Sequence, residues 1–308
     1  MKTLTVVVLS WNGVALTLDT LRSLAACRVP DSWRLRTLVV DNASSDGSPE
    51  RVRAEFPDVQ VLALAENRRF AGGNNEGLKK ALDGGADTVM LLNNDVIADP
   101  KMIEKLLAAL EEQPGAGAAA PLIYFAPPSD RIWYGGGRCR PWLAHSSHRG
   151  LRERDRGQYR SIEDTGYLTG CCLLATAEAW RKVGFLDERY FIYAEDADWC
   201  LRARAAGFRL LFVPTARLWH RVSASSGGAT GEGAMNAWKV YQRLRANVTL
   251  WARHARGIAR LTWLPALLAQ QAAYAAWLLA RGQAAAALAV PKALVDAAAK
   301  RDPAEVRL

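Results

Sequence analysis

With 308 residues, half of them hydrophobic, the chain can bury one large or two modest cores and is too apolar to be disordered. Its net charge of +9 is unevenly placed: residues 236–308 carry 11 Lys/Arg against 3 Asp/Glu, which leaves residues 1–235 close to neutral. That partition excludes a uniformly basic nucleic-acid-binding domain; it fits a soluble body with a basic tail that is either membrane-facing or merely solvated.

Met1-Lys2 runs straight into the strand-like Leu4-Thr5-Val6-Val7-Val8-Leu9 with no apolar leader or cleavage site, so the expectation is a protein that stays in the cytoplasm. Over the first 120 residues, strands are predicted at 4–9, 35–40, 59–64, 88–92 and 116–120, and helices at 14–27, 49–56, 72–82 and 100–111. This alternation predicts an α/β fold, a mostly parallel sheet between helices.

Each of the first four strands ends in a polar cluster: Ser10-Trp11-Asn12-Gly13, Asp41 to Gly47 (DNASSDG), Glu66-Asn67-Arg68-Arg69 and Asn93-Asn94-Asp95. In open α/β sheets ligands bind at the carboxyl ends of strands, so the four clusters are expected to converge on one site. A single carboxylate flanked by two amides, as in Asn93-Asn94-Asp95, suits a hard cation carrying a substrate phosphate; it equally suits a turn and N-cap before the next helix. The first strand lacks the G-x-G-x-x-G turn of a dinucleotide site, and no P-loop is present. Gly72-Gly73 opens a helix after the third strand and is weak evidence for a pyrophosphate cradle.

Residues 123–166, rich in Gly, Pro, Arg and aromatics, read as an insertion of strands and loops with a mobile flap over the site. His145 and His148 lie here as H-x-x-H, read as surface histidines for want of a third ligand. A small-residue strand at 169–175 and a helix at 176–183 follow. Glu195, Asp196 and Asp198 then fall in the first turn of a helix running to Ala206 and stopped by Gly207. Capping accounts for acids there, yet three in four residues exceed what capping needs. A last strand at 210–213 precedes His220, which is structural or a ligand. Residues 223–233 read as a flexible boundary loop. Five cysteines, without a C-x-x-C, suggest neither a disulfide framework nor a zinc site.

The tail is predicted helical. Residues 261–280 hold no charge and are long enough to span a bilayer, but Pro265 and Gln270-Gln271 argue against spanning. Trp263, Trp277, Arg260 and Arg281 suit a helix lying at the headgroups; packing on the body or forming a homo-oligomer are the alternatives.

Taken in order, these clusters resemble the family 2 glycosyltransferases of GT-A fold, in particular the bacterial rhamnosyltransferase-like branch. The resemblance runs from Leu4 to Arg256 and is carried by Val8-Leu9-Ser10-Trp11-Asn12, Val40 to Ser48 (VDNASSDGS), Asn67 to Gly77 (NRRFAGGNNEG) and Leu91 to Asp95 (LLNND). It continues through Thr169-Gly170, Ala194 to Trp199 (AEDADW) and Leu218-Trp219-His220. Arg68-Arg69 departs from the pattern, since this branch more usually has a glycine before the aromatic.

The resemblance implies a GT-A catalytic domain over residues 1–235 and a basic helical region over 236–308. Donor binding falls to Ser10, Trp11, Asp41, Asn67, Arg69, Asn74, Asn93 and Asn94, with Asp41 on the nucleobase and Trp11 either stacked on it or in the core. Asp95 and His220 would hold Mg²⁺ or Mn²⁺ against the diphosphate. Asp196 would be the catalytic base, with Glu195 and Asp198 positioning acceptor or base. The implied activity is inverting transfer of a sugar, rhamnose foremost, from a dTDP- or UDP-sugar to a glycan or lipid-linked glycan at the inner face of the cell membrane, without nucleic acid. A catalytically silent scaffold is the rival, against which the intact Asp95, Asp196 and His220 set speaks.

Overall fold

The computed structural model describes residues 1–127, 129–222 and 236–301; the 223–233 segment, expected as a boundary loop, lies outside the described residues. The first half follows the predicted alternation: β1 (Lys2–Ser10), α1 (Val14–Ala25), β2 (Trp33–Asp41), α2 (Ser48–Glu55), β3 (Gln60–Ala63), α3 (Arg69–Asp83) and β4 (Thr88–Asn93). A short β5 (Val96–Ala98), α4 (Met102–Glu112) and β6 (Ala116–Phe125) complete it. Within the 123–166 insertion lie β7 (Ile132–Tyr134), β8 (Gly137–Arg140), a 3-10 turn at Pro141–Leu143, β9 (His145–His148) and β10 (Glu163–Asp164). β11 (Cys172–Thr176), α5 (Ala177–Val183), α6 (Glu195–Ala205) and β12 (Arg209–His220) close the body.

The strand order is β10-β12-β6-β11-β4-β1-β2-β3, with β5 on β12 and β7 on β6. Pairing is parallel across β4-β1-β2-β3, as the βα alternation requires, because right-handed crossovers return the chain in the same direction. The other half is mixed: β11 inserts antiparallel between β4 and β6. Single-sequence periodicity cannot report such an insertion, since a strand's partner leaves no trace in its own pattern. Val6, Val7, Val8, Val89, Met90 and Leu91 are fully buried, as central strands covered on both faces should be.

Gly73 and Gly77, one helical turn apart on α3, face the sheet. A Cβ at Gly73 would come within 2.5 Å of Leu9, and one at Gly77 would overlap Val7 and Val40. Gly73 and Gly77 therefore let α3 lie close on β1 and β2, whereas a Cβ at Gly72, the other member of the Gly72-Gly73 pair, would meet Arg68 and Glu188.

The C-terminal helices are α7 (Ala237–His254), α8 (Ala259–Ala280) and α9 (Ala284–Ala298). Their buried Tyr241, Leu244, Leu250, Trp251, Val290 and Ala293 belong to the same continuous core as the sheet. Between α7 and α9, Tyr241 donates to buried Asp296 at 3.0 Å, and Lys292 and Arg301 pair with the same carboxylate. No described helix is long and apolar enough to cross a membrane.

Substituting Gly77→Ala should lower the unfolding free energy by about 1–3 kcal/mol through overpacking against Val7 and Val40. Urea denaturation measures the loss, and an unchanged midpoint would show that α3 can lift without penalty.

Candidate functional site

Three of the polar clusters are tied to one another through side chains. Asn12 bridges the first to the second: its N–H donates to Ser44 Oγ at 2.9 Å and its Oδ1 accepts the Ser45 N–H at 2.8 Å. Asn42 bridges the second to the third, donating to Asn67 Oδ1 at 3.0 Å and accepting the Arg68 N–H at 2.8 Å. The fourth cluster reaches the first through Asn94, whose amide donates to Thr17 Oγ1 at 3.0 Å beside Ser10. The expected convergence on one rim is what the fold builds.

Not every named residue faces that rim. Ser10 is fully buried, sharing a 2.8 Å hydrogen bond with Thr17, and Asn94 and Asn74 are likewise buried, Asn74 donating to the Phe70 carbonyl at 2.9 Å. These three pin β1, α1 and α3. Trp11, by contrast, is 46% exposed and so is not a core tryptophan. Asp41 is buried, with one oxygen accepting the Ser44 N–H at 3.0 Å and Oδ1 without a hydrogen-bond partner among the described residues. Leaving a buried carboxylate oxygen unmet costs about 1–3 kcal/mol or more, which a donor from a ligand would recover. Asn93 is half-buried at the end of β4, and Asn67 lies exposed beside Arg69.

Arg69 has φ +62°, a left-handed conformation that suits glycine, and its guanidinium stacks on Phe191 at 4.3 Å. The departure from the family pattern therefore falls where glycine would be unstrained. Among the described residues eight non-glycines have positive φ, and Asn12, Ala43, Arg69, Ala144, Tyr193 and Ala194 all lie around this rim or the cavity beside it. Backbone strain collected at one place is a mark of a functional site.

Asp95 precedes β5, and His220 ends β12 rather than following it in a loop. Antiparallel pairing sets Val96 opposite His220, so Asp95 Oδ1 lies 3.1 Å from His220 Nε2, with both residues buried. Trp133 of β7 stands edge-on to the His220 ring, centroids 4.6 Å apart, and also against His148 at 4.5 Å. His148 is thus not a free surface histidine: it is half-buried, donates or accepts at the Trp133 carbonyl at 2.9 Å, and desolvation pushes its pKa down to about 4. On the outer side of His220 a cavity of about 540 Å³ is lined by Arg131, Arg152 and Arg221. Among the described residues no cluster of three or more His, Cys, Asp and Glu could hold a metal; a cation at Asp95 and His220 would take its other ligands from substrate oxygens and water.

The second half of the site is a cavity of about 450 Å³ between β9, α6, α7 and α8, with Trp133, Glu195, Asp196 and Arg243 in its wall. Trp133 is the shared partition between this space and the Asp95–His220 pair. Tyr193 and Ala194, both left-handed, turn the chain sharply into α6 and aim its first two acids differently. Ala194 is the N-cap and carries no side chain that could cap the helix, so none of these acids stands at the capping position.

Asp196, partly accessible, accepts the Gly170 N–H at 2.8 Å and the Ala197 N–H at 2.7 Å. Glu195 is buried, with Oε2 unmet among the described residues. Burial, then repulsion from Asp196, pushes Glu195 up to about 8. Burial also raises Asp196, against the pull of its two N–H donors. Of the pair, Asp196 has the donors that favour a charge, so it holds the carboxylate at neutral pH and Glu195 holds the proton.

Asp198 lies elsewhere. It is fully buried and away from the cavity, accepting from Arg202 Nε at 2.8 Å, Arg253 Nη1 at 3.0 Å and His254 Nε2 at 2.7 Å. Burial would raise its pKa, but His254 and Arg202 outweigh it and hold the carboxyl below its ordinary value. Its work is to fasten α6 to α7, and positioning of an acceptor through it would be indirect.

Sequence reasoning missed Trp133 and Asn75. Asn75 exchanges hydrogen bonds with the backbone of Leu186 and donates to Glu188, locking the segment before α6 onto α3. Asn75 stood inside the quoted glycine-rich motif, but Trp133 carried no signal, because only the return of β7 onto β6 brings it to His220.

Two stability measurements separate these acids. Glu195 has its folded pKa raised above the ordinary 4.5, so its stabilising protonation is fully present below about pH 4.5 and is lost as pH rises through about 8. Glu195→Gln should gain stability relative to wild type between pH 5 and 8, by up to about 1.4 kcal/mol per pH unit in urea denaturation, and parallel profiles would refute the buried proton. Asp198→Ala should cost on the order of 3–5 kcal/mol at neutral pH by removing the buried carboxylate that Arg202 and His254 pair with, Arg253 keeping Asp187, a loss that Asp196→Asn should not share.

Comparison with known proteins adds an independent finding. The family model described as "Glycosyltransferase like family 2" matches residues 2–246. An N-acetylglucosaminyl-diphospho-decaprenol L-rhamnosyltransferase of Mycobacterium tuberculosis is 31% identical over 226 residues, covering 67% of this chain and 73% of the relative. The dTDP-rhamnosyl transferase RfbF of Shigella flexneri is 24% identical over 192 residues, 61% of this chain and 60% of its own. Among solved structures, a mannosyltransferase of Pyrobaculum calidifontis, PcManGT, in complex with GDP-Man and Mn²⁺, aligns with TM-score 0.57 at 18% identity, over 97% of this chain and 87% of that one. GalNAc-T7 with UDP, GalNAc and Mn²⁺ aligns with TM-score 0.61 at 17% identity over 81% of this chain, which spans about half (47%) of its length. At those identities the structural likeness speaks for the fold alone.

Proposed function

Since this chain belongs to glycosyltransferase family 2 and is a glycosyltransferase of GT-A fold with a C-terminal helical region, we propose that it transfers a sugar with inversion from a dTDP- or UDP-sugar, rhamnose foremost, to an acceptor hydroxyl on a polyprenyl-diphosphate-linked glycan. The observation that carries this reading is the shared Trp133 wall, with the Asp95–His220 pair on one side and the partly accessible Asp196 carboxylate on the other. Donor diphosphate and acceptor hydroxyl would meet across it. The names of the relatives from Mycobacterium tuberculosis and Shigella flexneri support the donor sugar and the lipid-borne acceptor.

Asp41, with its unmet buried oxygen, would accept the imide N–H of uracil or thymine, and exposed Trp11 would stack on the base. Asn67, Arg69 and Asn93 would line the path of the ribose and phosphates, while Ser10, Asn74 and Asn94 hold that path in shape. Asp95 and His220 would hold Mg²⁺ or Mn²⁺, consistent with the Mn²⁺ in the two fold relatives, and such an ion supplies charge compensation for the departing diphosphate. Asp196 takes the proton of the acceptor hydroxyl as its oxygen bonds to the anomeric carbon; the bond from that carbon to the diphosphate breaks on the opposite face. One displacement therefore inverts the configuration, and no covalent intermediate with the protein is needed. Glu195, protonated and buried behind Asp196, keeps a second charge out of the acceptor space. With a lipid-borne acceptor, the enzyme would work at the inner face of the cytoplasmic membrane.

Asp196→Asn should lower kcat by about 10²- to 10⁴-fold with donor affinity unchanged. Asp95→Asn should instead weaken Mn²⁺-dependent nucleotide binding, followed by calorimetry. If purified protein with Mn²⁺ releases no nucleoside diphosphate from any dTDP- or UDP-sugar, and Asp196→Asn behaves identically, the proposal fails.

A further inference from the structure

We propose that the outer face of α8, with the Trp142-Leu143 turn beside it, is a docking surface for an anionic lipid bilayer and holds the mouth of the Asp196 cavity at the headgroups. Its purpose rests on the lipid-borne acceptor proposed above; its geometry does not.

The two faces of α8 differ in kind. Trp263, Leu267, Tyr274 and Leu278 turn inward, and Leu267 and Leu278 are fully buried against the protein. On the opposite side Leu261, Leu264, Leu268, Ala272, Ala276 and Leu279, at spacings of three and four, form an exposed stripe without a polar group. Leu261 is 78% exposed and Leu268 45%. A helix with one face buried in protein is not surrounded by lipid, so the stripe can only lie on a surface. Across α8 from the stripe, Trp142, 51% exposed, and Leu143 project from the 3-10 turn, which Gln270 ties to α8 by donating to the Leu143 carbonyl at 2.8 Å.

Charge decides what covers this strip. Exposed Arg260 and Arg281 stand at the two ends of α8, Arg281 lying over Trp277 at 4.4 Å, and residues 256–295 contain no Asp or Glu. An apolar strip with tryptophan at its edges and only cations at its ends matches the zone between acyl chains and anionic headgroups. A second copy packed by a two-fold axis would set the same arginines near one another with no acid to pair them. The negative charge of an anionic bilayer instead compensates them, an attraction that salt screens.

The opposite face of the same helix borders the reaction space. Gln270 and Gln271 of α8 and Ala144-His145, directly after the Trp142-Leu143 turn, line the cavity that holds Asp196. With the stripe seated about 5–10 Å into the interface, that cavity lies one helix diameter, about 10 Å, further out, at the level of the headgroups. A polyprenyl-linked sugar could enter it without leaving the membrane.

Flotation of the full-length protein with phosphatidylethanolamine–phosphatidylglycerol vesicles tests the surface, with phosphatidylcholine vesicles as the neutral control. Wild type should float with the anionic vesicles, less so as salt is raised, and weakly with the neutral ones. The double variants Leu261→Glu/Leu268→Glu and Arg260→Gln/Arg281→Gln should each lose at least about tenfold in partitioning with unchanged melting temperature. Both should keep the wild-type rate on a short-chain water-soluble acceptor and lose it on the vesicle-borne one. Vesicle binding equal to wild type in both variants, or no wild-type binding, overturns the inference. So does a dimer that Leu261→Glu/Leu268→Glu dissociates without any vesicle binding, which would identify a second copy as the occupant. Variant-sensitive flotation by a protein that turns over neither acceptor would leave the docking surface standing and remove the functional reading instead.

Discussion

The pairing of three-residue β5 with the far end of β12 is the constraint on which the site depends. It joins a segment at residue 96 to one at residue 220 and sets Asp95 against His220, two side chains that would otherwise belong to unrelated loops. Because side chains alternate along a strand, a register slip of one residue would turn His220 to the other face and dissolve the pair. β12 is held in that register by its long parallel run along β6, whose tip continues into the insertion that delivers Trp133. The metal-ligand chemistry proposed here is thus a consequence of sheet topology before it is one of residue type.

Around that pairing, one acidic tripeptide-plus-one on α6 is divided into three different jobs by burial and donors. Asp196 keeps two backbone N–H groups and some access to the cavity; Glu195 loses water and leaves Oε2 unmet; Asp198 loses water but gains two arginines and a histidine. Their spacing alone could not separate these fates. The left-handed turn at Tyr193-Ala194 does so, by pointing consecutive residues of one helical turn toward cavity, core and α7. Its strain is offset by the packing that Asn75 and the Asp198 cluster impose on either side.

The C-terminal helices change standing in the folded protein. Read along the chain they look like a basic appendage, and a reader would expect them to be removable. In the structure α7 shares the Asp198 cluster with α6, α9 is tied to α7 through Asp296, and α8 supplies part of the wall of the Asp196 cavity. Removing them would open the core and the cavity together, which is why the surface of α8 is better interrogated by side-chain substitution than by truncation.

How much of this was legible without coordinates follows from the range of the interactions. Local periodicity located β1 to β4, their helices and the four polar strand ends, because alternation, caps and turn residues act over a few positions. The ordered motifs identified the family and the GT-A fold, and with them the roles expected of Asp41, Asp95, Asp196 and His220. Tertiary structure alone decided that β11 runs antiparallel through the sheet and that Ser10, Asn74 and Asn94 serve packing while Trp11 is exposed. It also decided that Trp133 stands edge-on to both His148 and His220 and that Glu195, not Asp196, keeps a buried oxygen unmet. Each of those depends on desolvation and on contacts across tens to hundreds of residues, and a residue's own neighbours in the chain carry no record of either.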